Sequence, residues 1–435
     1  MYNRQKPVQL THPNQEEGEL ESNVEEHRES YHLRPRKSIF YGSSSEDDDD
    51  YVLQGSSTSR TITSSNELDL AIARKRILGL KEYDEHVHEL VYEISDAMLN
   101  VELSEDHYIA SGILFYKDLM NNNKGLYEIL KTKKLSKLLK PPKLEIEKLD
   151  SVQENFVIAL MNNIDTQIPM AKNLKYYYEL ISFLLSIHNI WNSINYQEKM
   201  KVSEKTWRND MISSTIRFLS INSGKNVVKL SDGSASESTK DRNNQSGGPL
   251  RFPDYMWLFY NKEKQYSYEF LFTEVSYGPH ADGAYLSQHI KEDRSRLAKM
   301  AKEGWNSILN FIKEYGDEDC IKILNELEII TIHVYRKKLV VYSTNRAYKP
   351  FFSMIKILSI RLPVSKGDIN GVISLVEALI KLNQIIITNI EKITKIDNII
   401  NQRNPDIPHT PVESSPLDIL LNMTFPTLKT PSLPI

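Results

Sequence analysis

Two acidic residues at the ends of neighbouring aromatic strands constrain this chain more than any other feature. After Arg251-Phe252-Pro253-Asp254-Tyr255, the residues Trp257, Leu258, Phe259 and Tyr260 run into the polar break Asn261-Lys262-Glu263-Lys264. Tyr266, Tyr268, Phe270, Leu271 and Phe272 then lead to Thr273-Glu274-Val275-Ser276. Acidic residues are depleted from strand interiors, so two of them at the ends of paired aromatic strands call for a chemical reason. A three-residue loop at Glu263, Lys264 and Gln265 sets a register pairing Tyr260 with Tyr268, Leu258 with Phe270 and Asp254 with Glu274. Cross-strand partners stand about 4.5–5.5 Å apart at Cβ, near enough for two carboxylates to share a divalent cation. The side-chain period of two puts Ser276 on the same face as Glu274. A two-residue slip of the register would leave the acids staggered.

With 435 residues, the chain has room for two domains plus tails, at roughly 100–200 residues per domain. One cysteine, Cys320, excludes an intramolecular disulfide and a thiol-rich metal site, and fits a reducing compartment. The start, Met1-Tyr2-Asn3-Arg4-Gln5-Lys6, leads into no apolar run. The longest apolar helix candidate, around Leu180–Trp191, contains His188 and is too short to span a bilayer. The expectation is an intracellular protein, cytoplasmic or nuclear, with no membrane partner. Its net charge of −4 is uneven: residues 1–66 hold twelve acids against seven bases, leaving the body close to neutral. Such a body is no dedicated polyanion binder, and nucleic-acid affinity has to come from a local stripe.

Residues 1–66 are rich in Glu, Ser, Asn and Arg and short of aliphatics, which predicts a disordered acidic tail. Within it, Ser43-Ser44-Ser45 precede the run from Glu46 to Asp50, a pattern that suits an acid-directed kinase or a solvated linker. Arg34-Pro35-Arg36-Lys37 and Arg74-Lys75-Arg76 are too short to establish nuclear import. Residues 67–200 have helical periodicity, with Val87, Leu90, Val91, Ile94 and Met98 at helical spacing and further helices at Gln153–Met161 and Asn173–Trp191. No chemistry is visible there, and a protein partner is the expectation. From residue 201 to 400 the pattern becomes mixed. Ser203 caps a helix to about Asn222, and a strand follows at Asn226–Leu230. The polar loop Ser231–Gly248 precedes the aromatic hairpin. A long helix then spans about Leu286–Glu314. Strands follow at Leu327–Tyr335, Leu339–Thr344 and Phe351–Leu362, and a helix at Ile369–Ile400 closes the region. Residues 401–435 are Pro-rich and read as a disordered tail.

The order helix, strand, strand with Pro-Asp, strand with Glu-x-Ser, helix, strand resembles the core of the PD-(D/E)XK nuclease superfamily, in particular the divergent multicopy versions of fungal genomes. The resemblance covers about residues 203–344. It implies an α+β or α/β chain in which an N-terminal helical region precedes a restriction-endonuclease-like α-βββ-α-β core. It also implies Mg²⁺ or Mn²⁺ held by Asp254 and Glu274, with Glu204 as the auxiliary helix acid. Glu204 lies seven positions before Met211, on a face turned to the sheet. Mg²⁺ takes one or two carboxylates plus waters and phosphate oxygens, and it lowers the pKa of a bound water for hydrolysis. Where the family has its lysine, this chain has Ser276, which is neutral and cannot stabilise developing negative charge as an ammonium does. Gln288, Lys291 and Arg294 on the long helix are candidate replacements, with Lys291 the first choice. Lys291, Arg294 and Lys299 lie on a cationic side that continues through Arg296 and Lys302 and is interrupted by Glu292, Asp293 and Glu303. This local basic stripe is able to touch two or three phosphates, which predicts weak, salt-sensitive nucleic-acid binding.

Three readings follow: a metal-dependent nuclease, the same fold kept for binding without catalysis, and an unrelated α+β interaction module. Trp207, Trp257 and Trp305 read as core, and His280 as a turn residue within reach of the site. Ser223-Gly224-Lys225-Asn226 lacks the first glycine and the Ser/Thr of a phosphate loop.

Overall fold

The computed structural model describes residues 112–115, 144–162, 174–231, 236, 238, 251–262, 266–283, 285–348 and 351–402. The expectations for the two tails, the helix around Val87–Met98, the hairpin loop at Glu263–Gln265 and nearly all of the Ser231–Gly248 loop lie outside the described residues.

Seven strands make one mixed sheet: β1 (Ile113–Phe115), β2 (Val227–Ser231), β3 (Tyr255–Asn261), β4 (Tyr266–Ser276), β5 (Ile329–Tyr335), β6 (Lys338–Tyr348) and β7 (Phe351–Arg361). Their spatial order is β1-β7-β6-β5-β4-β3-β2. β2, β3 and β4 form an antiparallel meander. β4 and β5 are parallel, β5 to β7 antiparallel again, and β1 runs parallel to β7. The helices are α1 (Ser151–Met161), α2 (Leu174–Asn192), the short α3 (Ile194–Gln197) and the composite α4. α4 begins at Glu204–Trp207, passes through a π turn at Arg208–Ile212 and ends with Ser213–Leu219. After these come α5 (Leu286–Tyr315), α6 (Glu318–Asn325) and α7 (Ile369–Asn401).

Parallel strands need a long crossover, and the 30-residue α5 supplies it between β4 and β5. Its packing against β4 is close. A Cβ on Gly304 would stand 3.0 Å from the Glu269 carbonyl, and the Phe311 ring stacks 4.0 Å from Tyr266. Trp207, Trp257 and Trp305 are all buried. α7 is long and apolar enough to cross a membrane. Its exposed positions, however, are polar (Ser374, Gln384, Thr388, Glu391, Lys395, Asn398), so its apolar residues face the protein. The segment before residue 200 shares the core of the sheet. β1 is one of the strands, and Trp191 Nε1 donates to the Pro363 carbonyl at 2.9 Å.

The expected register holds at one end of the hairpin and shifts at the other. Tyr255 pairs with Thr273, Met256 with Phe272 and Trp257 with Leu271, the register that carries Asp254 to Glu274. A bulge between Trp257 and Leu258 then moves the pairing by one, so Tyr260 meets Ser267 rather than Tyr268. Bulges take an extra residue into one strand, and this one lets the aromatic end twist without disturbing the acidic end.

The basic stripe expected along α5 is largely turned inward. Lys299 is fully buried, and Arg294 is half-buried with its guanidinium 5.0 Å from the Phe115 ring centre. Lys302, further along the same side, is buried too. Burial pulls its pKa down to about 7, with Glu303 opposing and Arg346, Arg251 and Lys299 adding. Of the three predicted contact residues only Lys291 is exposed. A long cationic stem covers apolar surface readily, which is why a stripe of Lys and Arg in sequence need not be a stripe on the surface.

Candidate functional site: an acidic corner held by arginines

The helix, the hairpin and the crossover bring Glu204, Asp254 and Glu274 to one corner of the sheet. Ser203 caps α4, its Oγ accepting from the Thr206 N–H at 3.0 Å. The cap places Glu204 in the first turn, where its Oε2 accepts from the Tyr277 N–H at 3.4 Å. The π turn follows at once; such turns recur at functional sites. The carbonyl of its first residue, Arg208, accepts from Ser213 Oγ at 3.0 Å, and the Arg208 guanidinium donates to Asp254 Oδ1. Asp254 in turn accepts from the Val275 N–H through Oδ2 at 2.7 Å, which ties the start of β3 to the end of β4.

Glu274 and Ser276 both point at α5, as the period of two predicts. Arg296 on α5 donates to Glu274 Oε1 at 3.1 Å and pairs with Asp293. Asp293 is the hub: it also accepts from Ser276 Oγ, and His289 Nε2 stands 3.2 Å away. Ser276 Oγ lies 2.9 Å from His333 Nε2 on β5. Because the Ser276 hydroxyl proton goes to Asp293, His333 Nε2 must be the donor in that contact. His333 Nδ1 has no hydrogen-bond partner among the described residues. Burial, above all, pushes this imidazole down to about 3, so it is neutral at physiological pH.

The electrostatics are those of crowded acids. Glu274 is 5% exposed. Burial holds its carboxyl well above the ordinary 4.5; Arg296 opposes, and Asp293, Asp254 and Glu204 each push it further up. Arg296 loses by burial but is held above its usual range by Glu274, Asp293 and Asp254. The sign of the linkage is fixed. A folded-state pKa above the unfolded one means that the native protein binds the extra proton. Stability therefore falls as pH rises from 4.5 through the folded value. Glu274→Gln, which cannot ionise, should give a protein whose urea midpoint exceeds that of the wild type at pH 8. The two should converge below about pH 4.5; equal midpoints at both pH values would contradict the crowding.

Of the predicted site residues, Glu204, Asp254 and Glu274 converge, whereas Lys291 lies exposed on α5 and the cation meeting Glu274 is Arg296. Arg208, Asp293, Arg296, His289 and His333 did not enter the predicted site. His289 and Asp293 are at i, i+4 and Asp293 and Arg296 at i, i+3 on one helix, a spacing that marks a shared face. Among the described residues, no group of three or more His, Cys, Asp or Glu side chains is disposed to hold a metal ion. No protein-family model, curated protein or solved structure matches this chain.

Proposed function

We propose that this chain carries a PD-(D/E)XK-type nuclease fold kept for binding nucleic acid, with hydrolysis silenced. The fold reading is supported by topology. α4 precedes the β2–β3–β4 meander; Pro253-Asp254 opens its second strand, Glu274-Val275-Ser276 closes its third, and α5 crosses over to the parallel β5.

The observation that carries the silencing is the pair of arginines. Arg208 holds Asp254 and Arg296 holds Glu274 and Asp293, with the Asp254 and Glu274 side chains 14% and 5% exposed. A hard divalent ion needs carboxylate oxygens it can reach together with water and phosphate. Here such an ion would have to displace both guanidinium groups, so the residues as arranged do not fit Mg²⁺ or Mn²⁺. Ser276 stands where the family has lysine and is fully buried, fixed between Asp293 and His333. It presents neither a charge nor an accessible nucleophile.

Thermal unfolding with millimolar Mg²⁺ or Mn²⁺ tests this directly. A ligand that binds only the native state raises the melting temperature by mass action. No rise is expected here, and no cleavage of plasmid or single-stranded nucleic acid. A divalent-dependent rise that disappears in Asp254→Ala, accompanied by cleavage, would restore the hydrolytic reading.

A further inference from the structure

Among the described residues, four that are not glycine have φ in the left-handed region: Lys199 (52°), Asn222 (62°), Tyr277 (66°) and Arg336 (51°). Asparagine tolerates that conformation; Lys, Tyr and Arg do so at a cost that glycine avoids. Lys199 follows the cap of α3. Its N–H and that of Met200 reach back to Tyr196 O (3.4 Å) and Asn195 O (2.9 Å), the closing pattern whose left-handed position is usually glycine. Arg336 is the first of the two residues joining β5 to β6, since Tyr335 pairs with Lys338; glycine, asparagine or aspartate is the ordinary occupant there. Tyr277 is the first residue after β4.

These three flank one loop, residues 278–283, which adjoins the acidic corner through the Tyr277 N–H that Glu204 accepts. Gly278 packs so closely on the segment after Lys199 that a Cβ would stand 2.2 Å from the Val202 carbonyl oxygen. Lys201 Nζ lies 3.4 Å from Asp282 Oδ1, and Arg336 Nε donates to the Ala281 carbonyl at 3.0 Å. His280, in the same loop, is held down to about 4 by burial, with Lys337 and Lys199 adding to the effect. Lys199, Lys201, Arg336 and Lys338 are exposed and Lys337 is half-buried, against the exposed acids Glu198 and Asp282. Two segments far apart in sequence thus deliver five cations to one rim. Backbone strain persists where the surrounding structure enforces it, and it gathers where a side chain is used.

Resting on the reading of a nuclease-type fold kept for binding, we propose that Lys199, Lys201, Arg336, Lys337 and Lys338 form a basic rim that grips the sugar–phosphate backbone of a nucleic acid. Lys199 and Arg336 hold glycine's positions because their charge is needed there. The rim takes over the role that the inward-turned stripe of α5 cannot fill. About four phosphates neutralised give a log–log salt slope of about −3 to −4 on duplex DNA.

The test uses the full chain in EDTA, with labelled random-sequence duplex and single-stranded oligonucleotides read by fluorescence anisotropy. Lys199→Gly combined with Arg336→Gly should weaken binding about tenfold or more, with a melting temperature unchanged or raised because glycine relieves the backbone. Unchanged affinity, or a lower melting temperature with binding intact, would overturn the rim. Lys201→Glu with Lys338→Glu, at positions outside the left-handed region, should also abolish binding at moderate salt; retained binding there overturns it too. Poly-glutamate competing as well as DNA at equal charge would overturn nucleic acid as the partner. Cleavage with Mg²⁺ while the rim variants still lose binding would overturn only the silenced-site reading.

Discussion

Asp293→Ala should lower stability by about 3–5 kcal/mol, the range for breaking one side of a buried ion pair. Asp293 is 3% exposed in its side chain and takes hydrogen bonds from Arg296 and Ser276, with His289 alongside. Its loss leaves the Ser276 hydroxyl with His333 alone and Arg296 with only Glu274. The cost should fall toward the lower end of that range because Glu274 keeps its cation and loses one repelling neighbour. Urea unfolding followed by tryptophan fluorescence checks it, with Asp293→Asn expected to lose less because it still accepts from Ser276. A change below about 0.5 kcal/mol, the size of an ordinary surface effect, would mean that the network is not what holds α5 to the sheet.

Asp254→Ala should cost about 2–3 kcal/mol, since it removes one partner of a mostly buried ion pair and the acceptor of a buried N–H. Arg208 is 12% exposed, and the Val275 N–H would lose its partner. The sign matters more than the size. In a site poised for a metal, removing one of several crowded carboxylates relieves repulsion and stabilises the ion-free protein. Where arginine already neutralises the acid, the same substitution destabilises. Unfolding in EDTA separates the two: a midpoint above the wild type would refute the arginine-held corner.

Most of the sheet was legible because its signals are local. The alternation around Trp257 and Tyr268 and the apolar runs at Ile329–Tyr335 and Phe351–Arg361 give strands, and helical spacing gives α5 and α7. β1 was missed: three residues carry no usable period. The acids were legible as misfits at strand ends, and the register that joins Asp254 to Glu274 follows from hairpin length. The bulge at Trp257/Leu258 was not, because which strand takes the extra residue depends on packing across the sheet. Arg208 goes unremarked and Arg296 reads as part of the basic stripe, for a different reason. A cation beside acids on an amphipathic helix looks the same in sequence whether it points to water or to a buried carboxylate, and only the placement of α5 over β4 decides. Lys299 shows the converse, a charge assigned to the surface that the fold takes inside.

Because Ile113 pairs with Phe352, the sheet cannot finish until most of the polypeptide has left the ribosome. A pairing so remote in sequence raises contact order and slows the last step of assembly. In the meantime β1 lacks its partner strand and offers a template for another chain. Three residues make a small edge to guard, and brevity is one of the ways by which sheets avoid joining their neighbours.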